Sequence, residues 1–245
     1  MKARKSAAPA AARQARRSAG MQPDQSSPDQ VAEALRDGVR TGRYVPGQRL
    51  VEADLTSELQ LSRGPIREAL KRLAAEGLIE LHRHRGAYLR QLTRREVNDI
   101  LTIQESLTGL AARLAAEHIH EHDHRARFKL AHAALMKSYQ SRDPGGVLDA
   151  RVRFYVELVA IGGNAELTRF VPIPQTNLLR AQFERHLPAA ERAQRRKDYP
   201  AMAQLILTGK GAAAEAAMRK HIRNTRLAIN ALPDTVFAKD LAVRI

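Results

Sequence analysis

The sequence predicts a mainly α protein in two parts: three short helices with a β-hairpin, then an antiparallel all-α bundle. Three observations predict it. Apolar residues recur at helical spacing from Val31, two short apolar runs flank a tight basic turn near residue 84, and long Ala- and Leu-rich amphipathic segments fill the chain after Thr93. The 245 residues suffice for one large domain or two small ones, each with a core.

Residues 1–28 are rich in Ala, Arg, Ser and Pro and lack apolar periodicity. The arm proper is placed at 1–24, where six basic groups meet one acid, and is expected to be disordered. Its composition also resembles an organelle transit peptide, the less favoured reading. Val31, Leu35 and Val39 then mark a first helix that stops at Gly42, before the turn pair Pro46-Gly47. Leu50 is expected to open a second helix carrying Leu55 and Leu59. Ser62 is expected to cap a third, with Pro65 in its first turn and Ile66, Leu70 and Leu73 as its inward stripe. Gly77 ends it. Leu78–Leu81 and Ala87–Leu92 read as strands around His82-Arg83-His84-Arg85-Gly86. This unit is placed at residues 25–93.

Beyond it, helical segments are expected at about 96–118, 124–140, 145–160, 165–186, 189–207 and 211–231. They are punctuated by Pro144-Gly145-Gly146, Gly162-Gly163-Asn164, Pro188 and the glycines at 209 and 211. The second domain is placed at 96–233 and a tail at 234–245.

Composition narrows the function. Lys and Arg exceed Asp and Glu to give a formal charge of +15, spread over arm, first domain and second domain, which favours a polyanionic partner. Cysteine is absent, which removes disulfides, thiolate nucleophiles and iron–sulfur clusters and fits a reducing cytoplasm. The longest uncharged stretch, Tyr199–Gly209, is far shorter than a membrane span, so no membrane partner is expected. No nucleotide-binding glycine loop, HExxH or nucleophile elbow is present, and an enzyme is not expected.

The short second helix, tight turn and capped third helix are the parts of a helix-turn-helix, whose second member enters the major groove. Arg67 and Lys71 stand one turn apart, away from the apolar stripe, and Arg63 lies at the helix start. An arginine fork matches guanine O6 and N7, while free N–H groups at a helix N-terminus suit a phosphate. Arg85-Gly86 would form the tip of a wing, glycine permitting the bend. Any one of these cations alone would read as a solvated face; their joint arrangement points to DNA.

Residues 31–92 resemble the winged helix-turn-helix of the GntR family of bacterial transcription regulators. The likeness rests on Gly42-Arg43-Tyr44-Val45-Pro46-Gly47-Gln48-Arg49-Leu50, Leu61-Ser62-Arg63-Gly64-Pro65-Ile66-Arg67-Glu68-Ala69-Leu70, Arg72-Leu73-Ala74-Ala75-Glu76-Gly77-Leu78-Ile79 and Arg85-Gly86-Ala87. It implies that Ser62, Arg63, Gly64, Pro65 and Arg67 approach double-stranded operator DNA at the recognition helix and that Arg85 with Gly86 enters the minor groove as the wing; Arg49 and Lys71 are expected as further DNA contacts. Gly64 departs from the commoner threonine, which removes one hydroxyl contact.

The second part resembles the effector-binding and dimerising FCD domain of the FadR-type branch, at Gly109-Leu110-Ala111-Ala112-Arg113-Leu114-Ala115-Ala116-Glu117, Gly162-Gly163-Asn164 and Ala217-Met218-Arg219-Lys220-His221. Many such domains hold a divalent metal through an aspartate and three histidines. Here the family's aspartate falls on Arg151 and two histidines on Tyr155 and Tyr199, leaving His221. One imidazole does not make a metal site, so neither metal nor cofactor is expected. Arg151, Tyr155, Tyr199 and His221 are instead expected to line a metal-free pocket for a small organic acid, Arg151 gripping its carboxylate. Asp149 is the alternative ligand if the register is off by a helical step. The alternating His118, His120, His122 and His124 are read as a solvated helix end, and Arg192, Arg195, Arg196 and Lys197 as a solvated basic loop. The resemblance implies a homodimeric, cytoplasmic repressor controlled by a carboxylated metabolite. A metal-dependent sensor and an effector-independent DNA-binding protein are the alternatives.

Overall fold

A computed structural model describes residues 27–141, 144–171 and 173–239. The arm at 1–24 and positions 240–245 of the tail lie outside the described residues. Helix α1 (Ser27–Arg40) buries Val31, Ala32, Leu35 and Val39, the four-residue stripe expected of it. Leu50 does not open a helix. It lies in a two-residue strand β1 (Arg49–Leu50), and α2 (Glu52–Leu59) follows one residue later. β1 finds a free edge on β3 (Gly86–Leu89), whose other edge pairs with β2 (Ile79–His82), so the expected hairpin is a three-stranded antiparallel sheet of order β1-β3-β2. The register sets Arg49 opposite Tyr88 and Leu50 opposite Ala87. Such a pairing buries Leu50 and leaves Arg49 exposed, because successive strand residues face opposite sides.

Between these strands, α3 (Arg63–Ala75) packs Ile66, Ala69, Leu70 and Leu73 inward. Ser62 occupies its N-cap position with extended backbone, but its hydroxyl makes no capping hydrogen bond. The step to the second domain is fixed by a capping box at α4 (Arg94–His118): Thr93 Oγ1 accepts from Glu96 N, and the Glu96 carboxylate accepts from Thr93 N at 2.8 Å.

The remaining helices are α5 (His124–Ser138), α6 (Pro144–Ile161), α7 (Ala165–Phe170), α8 (Ile173–Phe183), α9 (Ala189–Leu207) and α10 (Gly211–Asn230). Pro144 begins α6 rather than separating helices, as suits a residue whose missing N–H has no partner in a first turn. The single segment expected at 165–186 is broken. Val171, ahead of Pro172 in the sequence, is extended with ψ 118°, the conformation forced on a residue preceding proline, and a 3-10 turn (Glu184–His186) ends the stretch.

Alanines 111, 112, 115 and 116 are buried on α4 and let α10 lie close along it. At Gly109 an added Cβ would fall 2.6 Å from Arg219 Cγ. Two buried clusters result. One lies inside the bundle around Phe128, Phe154, Leu158 and Tyr199. The other is continuous between the winged unit and one end of the bundle, joining Leu35, Leu70 and Leu89 to Leu101, Leu179, Phe183 and Phe237.

A polar clamp holds that junction. Gln182 of α8 is buried; its carbonyl oxygen accepts from Leu92 N at 2.8 Å, and its amide donates to Leu92 O and Val236 O. Ala238 N donates to Leu92 O as well. Arg94 lies over the Phe237 ring, 4.1 Å from its centroid, and donates to Leu232 O.

Candidate nucleic-acid interface and buried arginine cluster

The structure displays the candidate DNA-contacting residues in two groups. On α3, burial of Ile66 and Leu70 turns Arg63, Arg67 and Lys71 to the exposed side, and Ser62, Arg63 and Gly64 are exposed at its N-terminus, with Pro65 half-buried. The first-turn N–H groups there have no intrahelical acceptor. Arg67 is steered by Glu52 at the start of α2, with Nε donating to Oε2 at 2.7 Å. Arg49, Arg63, Lys71 and Arg85 make no ion pair or side-chain hydrogen bond among the described residues.

The second group is the hairpin. His84 and Gly86 turn the chain with φ of 64° and 92°, and Arg85 is exposed between them. Pairing of β1 with β3 brings Arg49 to this tip: a Cβ at position 86 would lie 3.7 Å from Arg49 Nε. Arg49 thus joins the wing through the strand that sequence periodicity did not distinguish from the helix after it. At Gly64 an added Cβ would meet nothing within 4 Å, so the missing threonine would be sterically accommodated.

In the second domain Arg151, Tyr155, Tyr199 and His221 converge, but they do not share one open pocket. Tyr199 is fully buried, its ring centroid 5.1 Å from that of His221 and 5.4 Å from that of Phe154. Arg151 lies over the same ring at 5.6 Å. Among the described residues, the Tyr155 and Tyr199 hydroxyls and His221 Nε2 are buried and meet no hydrogen-bond partner. Burial raises the Tyr155 pKa. Burial also drives the His221 pKa down to about 4, against the hydrogen bond that its Nδ1 donates to Asp198, so the imidazole is neutral at pH 7.

Asp198 is the partner that sequence reasoning missed. Its Oδ2 lies 2.8 Å from His221 Nδ1. The residues do not fit the family's metal: tyrosines stand where histidines would be, and no group of three His, Asp or Glu among the described residues is placed to hold an ion. Asp149 is not a displaced ligand. It faces the winged unit and accepts from Arg40 of α1 at 2.8 Å. The alternating histidines form the turn from α4 to α5, with His118 Nδ1 on Leu114 O and His124 Nδ1 on His118 O.

The basic stretch Arg192–Lys197 is not a solvated loop. It lies within α9, and Arg195 is only 5% exposed, on the same face as Tyr199 and Met202. Its guanidinium holds Glu184 through two bonds of 2.8 and 2.9 Å, while Arg180 holds the same carboxylate at 2.7 Å. Burial pushes the Glu184 pKa up, but Arg180, Arg195 and Arg151 prevail and bring it to about 2.

These residues border a cleft of about 650 Å³ between the end of α1 and the helical domain. Arg151, Arg180 and Arg195 line it from α6, α8 and α9, and Arg40, Thr41 and Tyr44 line it from the winged unit. Tyr155 borders only a small hole beside it, and Tyr199 and His221 lie behind the wall. The 195/199/202 spacing carried the signal for Arg195; nothing local marked Glu184 as its partner.

Comparison with known proteins agrees with this two-part architecture. Residues 28–89 match the family described as "Bacterial regulatory proteins, gntR family", and residues 99–224 match the FCD domain. A protein of Paenarthrobacter nicotinovorans named "Probable D-xylose utilization operon transcriptional repressor" is 32% identical over 143 residues, 57% of this chain and 62% of its own length. The Nta operon transcriptional regulator of Aminobacter aminovorans is 28% identical over 130 residues, 52% of this chain and 60% of its own. The chain therefore spans about three fifths of these relatives. Among solved structures, that of E. coli McbR/YncC superposes with a TM-score of 0.71 at 18% identity, covering 84% of this chain and 98% of that one.

Proposed function

The chain belongs to the gntR family of bacterial regulatory proteins and carries its FCD domain, and from that premise we propose that it is a homodimeric repressor released from its operator by a small carboxylated metabolite. DNA-binding regulation of transcription is the property of the family, which comprises regulators rather than enzymes. The observation that carries the reading is the pairing of two arginine populations. Arg63, Lys71, Arg49 and Arg85 face outward on α3 and the wing without carboxylate partners among the described residues, Arg67 beside them is held by Glu52, and guanidiniums line an open cleft against the winged unit.

Arg63, Arg67 and Lys71 would lie in the major groove, with Ser62, Gly64 and Pro65 bringing the start of α3 to a phosphate. Arg85, Gly86 and Arg49 would follow the adjacent backbone as the wing. A two-fold dimer would read a pseudo-palindrome. Arg151 would hold the carboxylate of the metabolite, and closing the cleft on it would shift the winged unit. The coupling is reciprocal, so operator DNA would weaken the ligand by the same factor.

Selection from random duplexes, followed by titration of the enriched sequence, tests the reading. A pseudo-palindromic sequence bound by two chains and released by a carboxylated metabolite is expected. Enrichment of no sequence would refute the operator assignment, and an operator affinity unmoved by every carboxylate that binds the protein would refute the effector assignment.

A further inference from the structure

Charge in the cleft wall does not balance. Arg151, Arg180 and Arg195 approach one another from three helices with one carboxylate, Glu184, among them. Among the described residues that line the cleft, seven are arginines and Glu184 is the one acid. Two neighbouring acids among the described residues are engaged elsewhere: Asp149 holds Arg40, and Asp198 holds His221 and Gln194. Arg151 makes no hydrogen bond or ion pair among the described residues, and Arg180 and Arg195 each have a buried Nε without a partner. Burial, with Arg151 and Arg195 beside it, lowers the Arg180 pKa to about 10. Guanidiniums removed from water at this density need anionic partners, since an uncompensated buried charge is strongly destabilising. Three cations against one anion leave two positive charges to neutralise.

We propose that the cleft between α1 and the helical domain binds a small dianion, a dicarboxylate or a phosphate monoester, with its charge on Arg151, Arg180 and Arg195. This rests on the reading of the protein as a ligand-controlled regulator and specifies the ligand's charge and position. The volume of about 650 Å³ suits a small metabolite. Guanidinium forks accept carboxylate and phosphoryl oxygens alike through paired N–H bonds. The orphaned Tyr155, Tyr199 and His221 atoms lie behind this wall, so the ligand sits nearer the winged unit than they do. Its other neighbours are Arg40 and Thr41 at the end of α1. The ligand therefore occupies the space between the two domains and acts on their spacing directly.

The test is calorimetric titration of the full chain, at constant ionic strength, with acetate, succinate and glucose 6-phosphate, alongside ligand-free melting curves. Succinate or glucose 6-phosphate is expected to bind at least tenfold more tightly than acetate, and which of the two does so identifies the anionic group. Arg151→Met should weaken that binding roughly ten- to hundredfold, the worth of a charged hydrogen-bonded contact. It should also raise the ligand-free melting temperature, because it removes one uncompensated cation, whereas loss of a merely structural arginine would lower it. If Arg151→Met does not fold, Arg196→Glu on the exposed rim, which reverses one charge, should weaken the dianion alone. Acetate binding as tightly as succinate would overturn the two-charge assignment while leaving a carboxylate-controlled repressor intact. No binding by any of the three would overturn the site. A dianion that binds without altering operator affinity would uphold the site and refute the regulatory reading.

Discussion

The arginines of α3 and the wing differ from those of the cleft in what water does for them. Arg63 and Arg85 are exposed, so their charge is solvated at no cost to the fold and, on the proposed function, would meet a phosphate. Arg151 and Arg195 are 6% and 5% exposed, so their charge is maintained only by what surrounds it. The first set announces itself by salt dependence of binding, because exposed charges are screened. The second would announce itself by ligand charge, and its neighbours His221 and Glu184 by pH dependence of stability. On the proposed function, one side-chain chemistry would serve two kinds of anion recognition, distinguished by burial.

The largest expected effect lies on the buried side. His221 titrates near 6.5 when unfolded and about 4 when folded, so the unfolded chain takes up its proton first as pH falls. The stabilisation is complete above about pH 6.5 and is lost as pH falls towards 4, up to about 3 kcal/mol. Glu184, lowered to about 2, adds a loss of the same sign below pH 4.5. Denaturant melts of wild type and His221→Gln between pH 4 and 7 check this: the substitution should flatten the slope, and an unchanged slope would assign it to another group.

On the exposed side, Arg67→Ala is expected to weaken operator binding by about 1–3 kcal/mol with dimerisation intact. The exposed Arg67–Glu52 pair contributes at most about 1 kcal/mol to stability, so melting should hardly move. Titration against operator variants sharpens the comparison. A loss confined to one base position marks a base contact, a uniform loss with a shallower salt slope marks a phosphate contact, and undiminished affinity would remove Arg67 from the interface.

The Gln182 clamp joins the two regions. Gln182→Met keeps the length of the side chain but leaves the Leu92 N–H without its buried partner, at a cost of about 1–3 kcal/mol. The urea midpoint should fall accordingly. Because Arg180 of the cleft lies on the same helix one half-turn earlier, the operator response to ligand should fall too; a response of full size would show that α8 does not carry the coupling.

How far these features were legible follows from their range. The inward stripe of α3 and the long helices of the second domain depend on local periodicity, and the sequence carries it in full. The Arg49–Leu50 strand has two residues and exists because β3, some 37 residues on, offers an edge; no local pattern encodes that. The proline pair after Val171 was local and sufficient to break the 165–186 segment, but amphipathic residues on both sides masked it. The cleft was half legible. Arg151, Tyr155, Tyr199 and His221 came from register against a family pattern, which places side chains along helices but cannot separate lining from wall. Arg195 looked like part of a solvated charge run because four cations in six residues usually are one, and only its phase with Tyr199 and Met202 turns it inward.

The smallest effect is expected at Gly64, where the exposed set can be strengthened rather than broken. Gly64 is the second residue of α3 and has open space where a side chain would begin. Threonine there lowers the entropy cost of ordering the first turn and adds a few tenths of a kcal/mol of helix stability. Its hydroxyl would also stand beside Ser62 and Arg63 at the proposed phosphate contact, worth about 0.5–1.5 kcal/mol if it donates. Gly64→Thr should therefore raise operator affinity about two- to tenfold by fluorescence anisotropy, with a slightly higher melting temperature. The two readouts separate the causes. A higher melting temperature with unchanged affinity would show that position 64 contributes only to the helix, and that the start of α3 stands away from the DNA backbone.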